Sequence, residues 1–197
     1  MFDPTKLIQA LAQSPTLQTL YQHIDAATII DQAITIQQIP APTFAETQRA
    51  AYVKAQFQRL GLLEIQIDNV HNVLGRWPGT DPTRPALMVS AHTDTVFPAE
   101  TDLTIRRAQD RIYGPGLGDN SLGVAALLAL LELLNQHHIQ PAADIWFVAN
   151  TCEEGLGNLN GIRAAWETLR ARLGAAIVIE GMALGHIYHA GIAVRRL

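Results

Sequence analysis

An α/β sandwich built on a mostly parallel sheet is the fold this sequence predicts, and three features carry that expectation. Residues 86–89, 145–149 and 176–179 are short, continuous apolar runs rich in β-formers, the pattern of buried parallel strands. A helix over about residues 121–138, almost wholly apolar in its first three turns, separates the first run from the second. Another, over about residues 162–173, separates the second from the third, and strands alternating with helices argue for a sheet with helices packed on it. With 197 residues, 48% hydrophobic and 16% charged, the chain can bury a substantial core, which excludes disorder, collagen-like repeats and disulfide scaffolds.

Upstream of these runs the first sixty residues read as helical. Asp25 caps a segment whose Ile30, Ala33, Ile34 and Gln37 lie on adjoining turns, and Pro40 and Pro42 stop it. Thr43-Phe44-Ala45-Glu46 has the form of a capping box, opening a helix with Tyr52, Val53, Phe57 and Leu60 on one face and Gly61 at its end. Ile65 and Ile67 then alternate with polar residues, and Val73 and Leu74 begin a second short strand.

Charge and cysteine content narrow the surroundings. Fourteen Lys and Arg against 18 Asp and Glu give a net charge of −4, which does not suit a nucleic-acid or anionic-membrane partner. One cysteine fits a reducing compartment. The N-terminus carries an early Asp3 and no secretory pattern, and the longest apolar run, residues 124–131, is too short to cross a bilayer. A soluble, cytoplasmic protein is expected.

Chemistry gathers where the predicted strands end. The first run leads into Ser90-Ala91-His92-Thr93-Asp94, the second into Asn150-Thr151-Cys152-Glu153-Glu154, the third into Glu180-Gly181. A glycine-rich loop, Gly114-Pro115-Gly116-Leu117-Gly118-Asp119-Asn120, delivers a further carboxylate just before a helix. Ligands of open α/β sheets sit outside the carboxyl ends of the strands, so these groups fall along one edge. One imidazole and several carboxylates make zinc ligands, and two ions about 3.5–4 Å apart need a bridging carboxylate, a role the flexible loop suits Asp119 to fill. Asp94 is placed to take the second ring proton of His92, and the Glu153-Glu154 pair can divide the tasks of proton acceptor and ligand. Singly, each motif has a plainer explanation as a strand end, a tight turn or a solvated helix start; in this order and spacing they point to a metal site. The glycine loop lacks the Lys-Ser/Thr of a phosphate-binding loop.

The segments Ala91-His92-Thr93-Asp94-Thr95, Gly116-Leu117-Gly118-Asp119-Asn120 and Cys152-Glu153-Glu154-Gly155 resemble the two-zinc exopeptidases and deacylases, a family that includes peptidase T, carboxypeptidase G, acetylornithine deacetylase, succinyl-diaminopimelate desuccinylase and aminoacylase. Spacings of 27 (92 to 119), 35 (119 to 154) and 26 (154 to 180) residues follow the same pattern. The resemblance implies a three-layer α/β catalytic domain with two Zn2+, Co2+ and Mn2+ being alternative ions. His92 and Glu180 would hold one metal, Glu154 the other, and Asp119 would bridge. Asp94 would orient His92, Glu153 would be the general base, and the Asp119-Asn120 peptide would be cis. The implied reaction is hydrolysis of an amide in a short peptide or N-acyl amino acid. Asp-Asn-Ser after the glycine loop and Glu-Glu-Gly-Leu-Gly-Asn-Leu-Asn-Gly after the second run lean towards a peptidase T-like aminopeptidase, with an N-acyl amino acid deacylase as the alternative.

Family members are longer, so the resemblance divides the chain into residues 1–190, the first part of a catalytic domain, and 191–197, the start of a connection to a missing dimerisation domain. The full-length form would be a homodimer, and a late histidine ligand for the second metal would lie beyond the chain. The expectation is therefore a fragment with an incomplete site, or a non-catalytic interaction module that keeps the motif without the metals. His137 and His138 read as capping the apolar helix, Cys152 as a small buried hydrophobe, Trp146 and Phe147 as core, and the Arg106-Arg107 and Arg195-Arg196 pairs as solvated. His189 is a weak candidate for a substitute ligand.

Overall fold

The computed structural model describes residues 3–181 and 185–189. Four helices open the chain: α1 (Pro4–Ala12), α2 (Pro15–Gln22), α3 (Ala26–Gln37) and α4 (Thr47–Arg59). Asp25 caps α3 as expected, its carboxylate accepting from the Ala27 N–H and the Thr28 hydroxyl. At the end of α4, Gly61 takes a left-handed φ of 79°. That turn lets Leu62 N–H reach the Phe57 carbonyl and Gly61 N–H the Gln58 carbonyl, the paired bonds that close a helix C-terminus. The start of α4 departs from the sequence expectation. Glu46 stands at the N-cap but makes no capping bond there, because its side chain and that of Thr43 are used elsewhere.

Strands β1 (Leu63–Ile67), β2 (Val73–Trp77), β3 (Ala86–His92), β6 (Ile145–Asn150) and β7 (Leu173–Val178) form one sheet in the order β1-β2-β6-β3-β7. β4 (Arg106–Ala108) and β5 (Arg111–Tyr113) make a separate hairpin. The main sheet is mixed: β1 and β2 pair antiparallel, as do β2 and β6, whereas β6, β3 and β7 run parallel. Helix α5 (Leu122–Gln136) links β3 and its following hairpin to β6, and α6 (Asn160–Leu169) links β6 to β7. α6 stops four residues short of the expected 173, because the chain turns through an Arg172 N–H to Leu169 carbonyl bond and enters β7.

Alternation along the strands divides the interior into two layers, completing a three-layer α/β/α sandwich. Val73, Val89 and Phe147 point to one face and pack under α3, α4 and α5 through Ile36, Phe57, Leu127 and Leu128. Leu74, Met88, Trp146 and Val148 point to the other and meet Ala165 and Leu169 of α6. Trp146 and Phe147 are thus core, as read. The third apolar run behaves differently from the expectation of a buried strand. β7 lies at the sheet edge, pairs only with β3 among the described residues, and leaves Ile177 and Val178 exposed; hydrophobic composition reported strand propensity but not burial.

Residues Leu117–Gln136, with a mean hydropathy of 1.5, are long and apolar enough to cross a membrane, further than the run 124–131 alone indicated. Seven residues of α5 are buried against the sheet and α3, which accounts for that apolarity as core.

Candidate metal centre

Parallel pairing fixes which side chains meet. His92 is opposite Asn150, and Ser90 is opposite Val178, so Glu180, two residues past Val178, is carried level with His92. The Ile179 N–H continues that ladder to the Ser90 carbonyl. Glu153 and Glu154 follow three and four residues after Asn150 at the same edge. Asp119 arrives from Leu117–Ser121, a wound segment interrupted by non-helical backbone at Asp119 and Asn120, with a cis Asp119-Asn120 peptide and Gly116 at φ 67° before it. Buried Asn120 ties this segment to the sheet, donating from Nδ2 to the Ile179 carbonyl and accepting the Gly123 N–H. Gly181 is needed for the same approach, since a Cβ there would collide with the Gly118 carbonyl oxygen.

The expected residues converge. His92 Nε2 lies 2.9 Å from Asp119 Oδ1 and 3.6 Å from Glu180 Oε2. Donor atoms of His92, Asp119 and Glu180 all fall within 4.8 Å of one another, and so do those of His92, Glu153 and Glu154. On the far side of the ring, His92 Nδ1 faces Asp94 Oδ1 at 3.5 Å, longer than a formed hydrogen bond, and has no other partner among the described residues. Asp94 is fully buried and anchors the loop after β6: Oδ1 accepts the Glu153 N–H at 3.0 Å, and Oδ2 accepts the Glu154 N–H at 3.0 Å and the Thr43 hydroxyl at 2.9 Å.

Electrostatics follow from five carboxylates around one imidazole. Burial pulls the imidazolium of His92 down, but the Asp94 and Glu180 carboxylates outweigh it and raise its pKa to about 10. Burial pushes the Asp94 carboxyl up, and is overcome by His92, the two N–H donors and the Thr43 hydroxyl, which hold it below the usual carboxylate range. Glu153 is raised, mainly by burial, with Glu180, Asp94 and Asp119 adding to it against His92. Glu154 is raised by burial, then by Asp119 and Glu153. Among the described residues no lysine or arginine forms an ion pair with these acids, since the nearby buried Arg49 is spent on the Ile39 and Thr93 carbonyls. An imidazole and clustered carboxylates with no lysine or arginine ion-paired to them among the described residues, and with donor atoms this close, suit hard or borderline divalent ions.

Several supporting residues escaped the sequence reading. Glu46 is fully buried and accepts the N–H groups of Phe44 and, from 106 residues away, Cys152. Asn72, also fully buried, accepts the Thr151 N–H while donating to Asp68 and the Gly161 carbonyl. Both fix the backbone that leads into Glu153, and only their tertiary partners reveal them. Cys152 is buried as expected. His137 caps α5 and meets the ring of His23 edge-on. His189 joins neither ligand group. Arg106 lies over the Tyr113 ring and Arg107 pairs with Asp31, both on the exposed hairpin. The Arg195-Arg196 pair and the 191–197 connection lie outside the described residues.

Many solved structures share this fold, and a few curated proteins are similar to it in sequence. A carboxypeptidase S-like protein from Dictyostelium discoideum is 32% identical over 127 residues, 61% of this chain and 26% of that protein. N-carbamoyl-L-amino acid amidohydrolase from Geobacillus stearothermophilus is 31% identical over 111 residues, 56% of this chain and 23% of its own length. This chain therefore spans about a quarter of the curated relatives it matches. Among solved structures, the aminopeptidase PepT from Bacillus cereus superposes with a TM-score of 0.67 at 21% identity, over 80% of this chain and 44% of that one. The Bacillus subtilis YXEP protein, a dinuclear metal-binding peptidase of the M20 family, gives 0.61 at 17% identity over 79% and 43%. The superpositions show that this chain shares the three-layer α/β fold of those peptidases. Residues 72–183, a stretch that takes in every acid and the imidazole of the cluster, match the family model for peptidase family M28, and the chain belongs to that family.

Proposed function

We propose that this domain hydrolyses an amide bond in a short peptide or acylated amino acid with a pair of divalent ions, zinc by the chemistry of its donors. The observation that supports it most directly is the sharing of His92 between two ligand groups, one with Asp119 and Glu180, the other with Glu153 and Glu154. In this reading His92 and Glu180 would hold one ion and Glu154 the second, with Asp119 a ligand available to both. When bound, such a pair would polarise a carbonyl and acidify a water. Glu153 would accept a proton from the attacking water and return one to the leaving amine, and its raised pKa brings it closer to the pH at which both transfers are easy. Asp94 sets the ring of His92 and, through the Glu153 and Glu154 N–H groups, the position of both glutamates.

A peptidase T-like aminopeptidase is the reading favoured by the motifs after the glycine loop and after β6. Deacylation or decarbamoylation of an N-substituted amino acid is the second, supported by the similarity to an amidohydrolase and a desuccinylase. We place the protein in the cytoplasm, in keeping with its single cysteine and acidic balance, and as a homodimer by the family resemblance alone.

Equilibrium dialysis of the 197-residue chain against zinc, with parallel assays on tripeptides and N-acetyl or N-carbamoyl amino acids, tests the proposal. In a full-length version Glu153→Gln is expected to keep its metal and lose about 10²–10⁴-fold in turnover, while Asp119→Ala loses metal itself. A chain that takes up no divalent ion would remove the catalytic reading and leave an interaction module.

A further inference from the structure

The first two helices form a tight hairpin whose apolar side the rest of the described chain leaves open. Pro4 and Pro15 stand in the first turns of α1 and α2, Asp3 caps α1 through the Thr5 N–H, and the Gln18 side chain ties α2 to the Ala12 carbonyl. By the helical period, Leu7, Ile8 and Leu11 share one side of α1, and Leu17 and Tyr21 one side of α2. All five are exposed, from 43% at Leu17 to 78% at Tyr21, and no residue of α2 is buried. The two stripes meet at a hollow of about 530 Å³, walled by Ile8, Leu11, Leu17 and Tyr21.

Such a hairpin holds poorly by itself. α1 has nine residues and α2 eight, and helices below about 12–15 residues are marginal in water unless an apolar face is packed. The body of the domain meets the hairpin beyond the end of α2, where the His23 ring touches His137 edge-on, and leaves the hollow uncovered. A bilayer is a poor occupant: Lys6 is the only charged residue in 4–22, whereas helices that lie on membranes carry many basic residues on their polar side. A second copy suits the face better. Its rim of glutamines and threonines is neutral, so two such faces meet with little charge repulsion. The five exposed side chains offer on the order of 500 Å² per copy, and two faces bury about 1,000 Å², the size at which specific interfaces begin.

We propose that the α1–α2 hairpin is a self-association surface, on which the hairpins of two copies pack across a twofold axis as a four-helix arrangement. This surface is separate from the dimerisation domain that the family resemblance implies, and the inference does not rest on the hydrolase reading.

The test is sedimentation equilibrium of the 197-residue chain at concentrations up to about 100 µM. The expected result is a dimer of twice the 21.5 kDa chain mass. Leu11→Glu, which sets a charge in the apolar contact, is expected to weaken that dimer about tenfold or more, and Tyr21→Ala, which preserves helix propensity, about fivefold or more. Ile177→Lys, on the exposed β7 edge, is expected to leave the dimer unchanged. Near-ultraviolet circular dichroism of the core is expected to match the parent in all three variants, which separates a lost interface from a lost fold. A chain that stays monomeric overturns the proposal, and binding of that monomer to phosphatidylglycerol vesicles would assign the hairpin to a lipid surface instead. A dimer that survives both Leu11→Glu and Tyr21→Ala, or that Ile177→Lys weakens as much as they do, also overturns it, because the contact then lies elsewhere. None of these outcomes bears on the metal centre, which ion uptake tests by itself.

Discussion

Asp94→Asn isolates the residue on which the site's geometry converges. Each carboxylate oxygen of Asp94 faces a backbone N–H, Glu153 on Oδ1 and Glu154 on Oδ2, and Oδ2 also takes the Thr43 hydroxyl. An amide of the same shape has one acceptor oxygen, so in either orientation its NH2 meets one of those N–H groups. One buried backbone donor is left unpaired, at about 1–3 kcal/mol, and the remaining bonds lose the extra strength that a charged acceptor gives. A loss of about 3 kcal/mol follows, measured by urea unfolding at pH 7. Asp94 is held below the usual carboxylate range, so the stability it contributes is full above its unfolded pKa and lost as pH falls through its folded value. The gap between the two proteins therefore closes in acid. Asp94 also helps to raise His92, so the imidazole of the variant titrates lower by NMR, and zinc affinity drops about 10–100-fold with the orienting carboxylate gone. A stability change under about 0.5 kcal/mol with an unmoved His92 titration would refute the anchoring role.

Three further outcomes follow from the same geometry. The metal-free chain loses a few kcal/mol as pH rises from about 6.5 towards 10, because the pKa of His92 is raised in the folded state and its contribution is complete only below the unfolded value. Glu153 and Glu154, also raised, act in the same direction from lower pH, and a flat urea-midpoint profile over that range would contradict the cluster electrostatics. Zinc binding at pH 7–8 releases about one proton from His92, visible as a dependence of calorimetric heat on buffer ionisation enthalpy; no such dependence would show that His92 is already neutral. Gly161→Ala costs about 2–3 kcal/mol in urea unfolding, since its Cβ would meet the Thr151 carbonyl, the Thr151 nitrogen at 2.6 Å and Asn72 Oδ1 at 2.7 Å.

What the sequence disclosed of this site is governed by how far its causes are local. The ends of β3, β6 and β7 were legible because parallel pairing translates strand position directly into a shared edge: His92 against Asn150 and Ser90 against Val178 leave Glu180 little choice of place. Burial of β7 was not legible, since an apolar run encodes a strand without naming the neighbours that cover it. The clearest divergence is Thr43-Phe44-Ala45-Glu46. The pattern fits a capping box, yet Thr43 donates to Asp94, and Glu46 holds the N–H groups of Phe44 and Cys152. The reason is a competition for acceptors. Water can satisfy the first N–H groups of a surface helix, so a missing cap on α4 is tolerable. No water reaches the Cys152 N–H, which leads into Glu153 and Glu154, and an unpaired buried donor is costly. The carboxylate of Glu46 therefore goes to the donor that has no substitute, and a helix-start signal in the sequence becomes, in the fold, a support for the candidate metal centre.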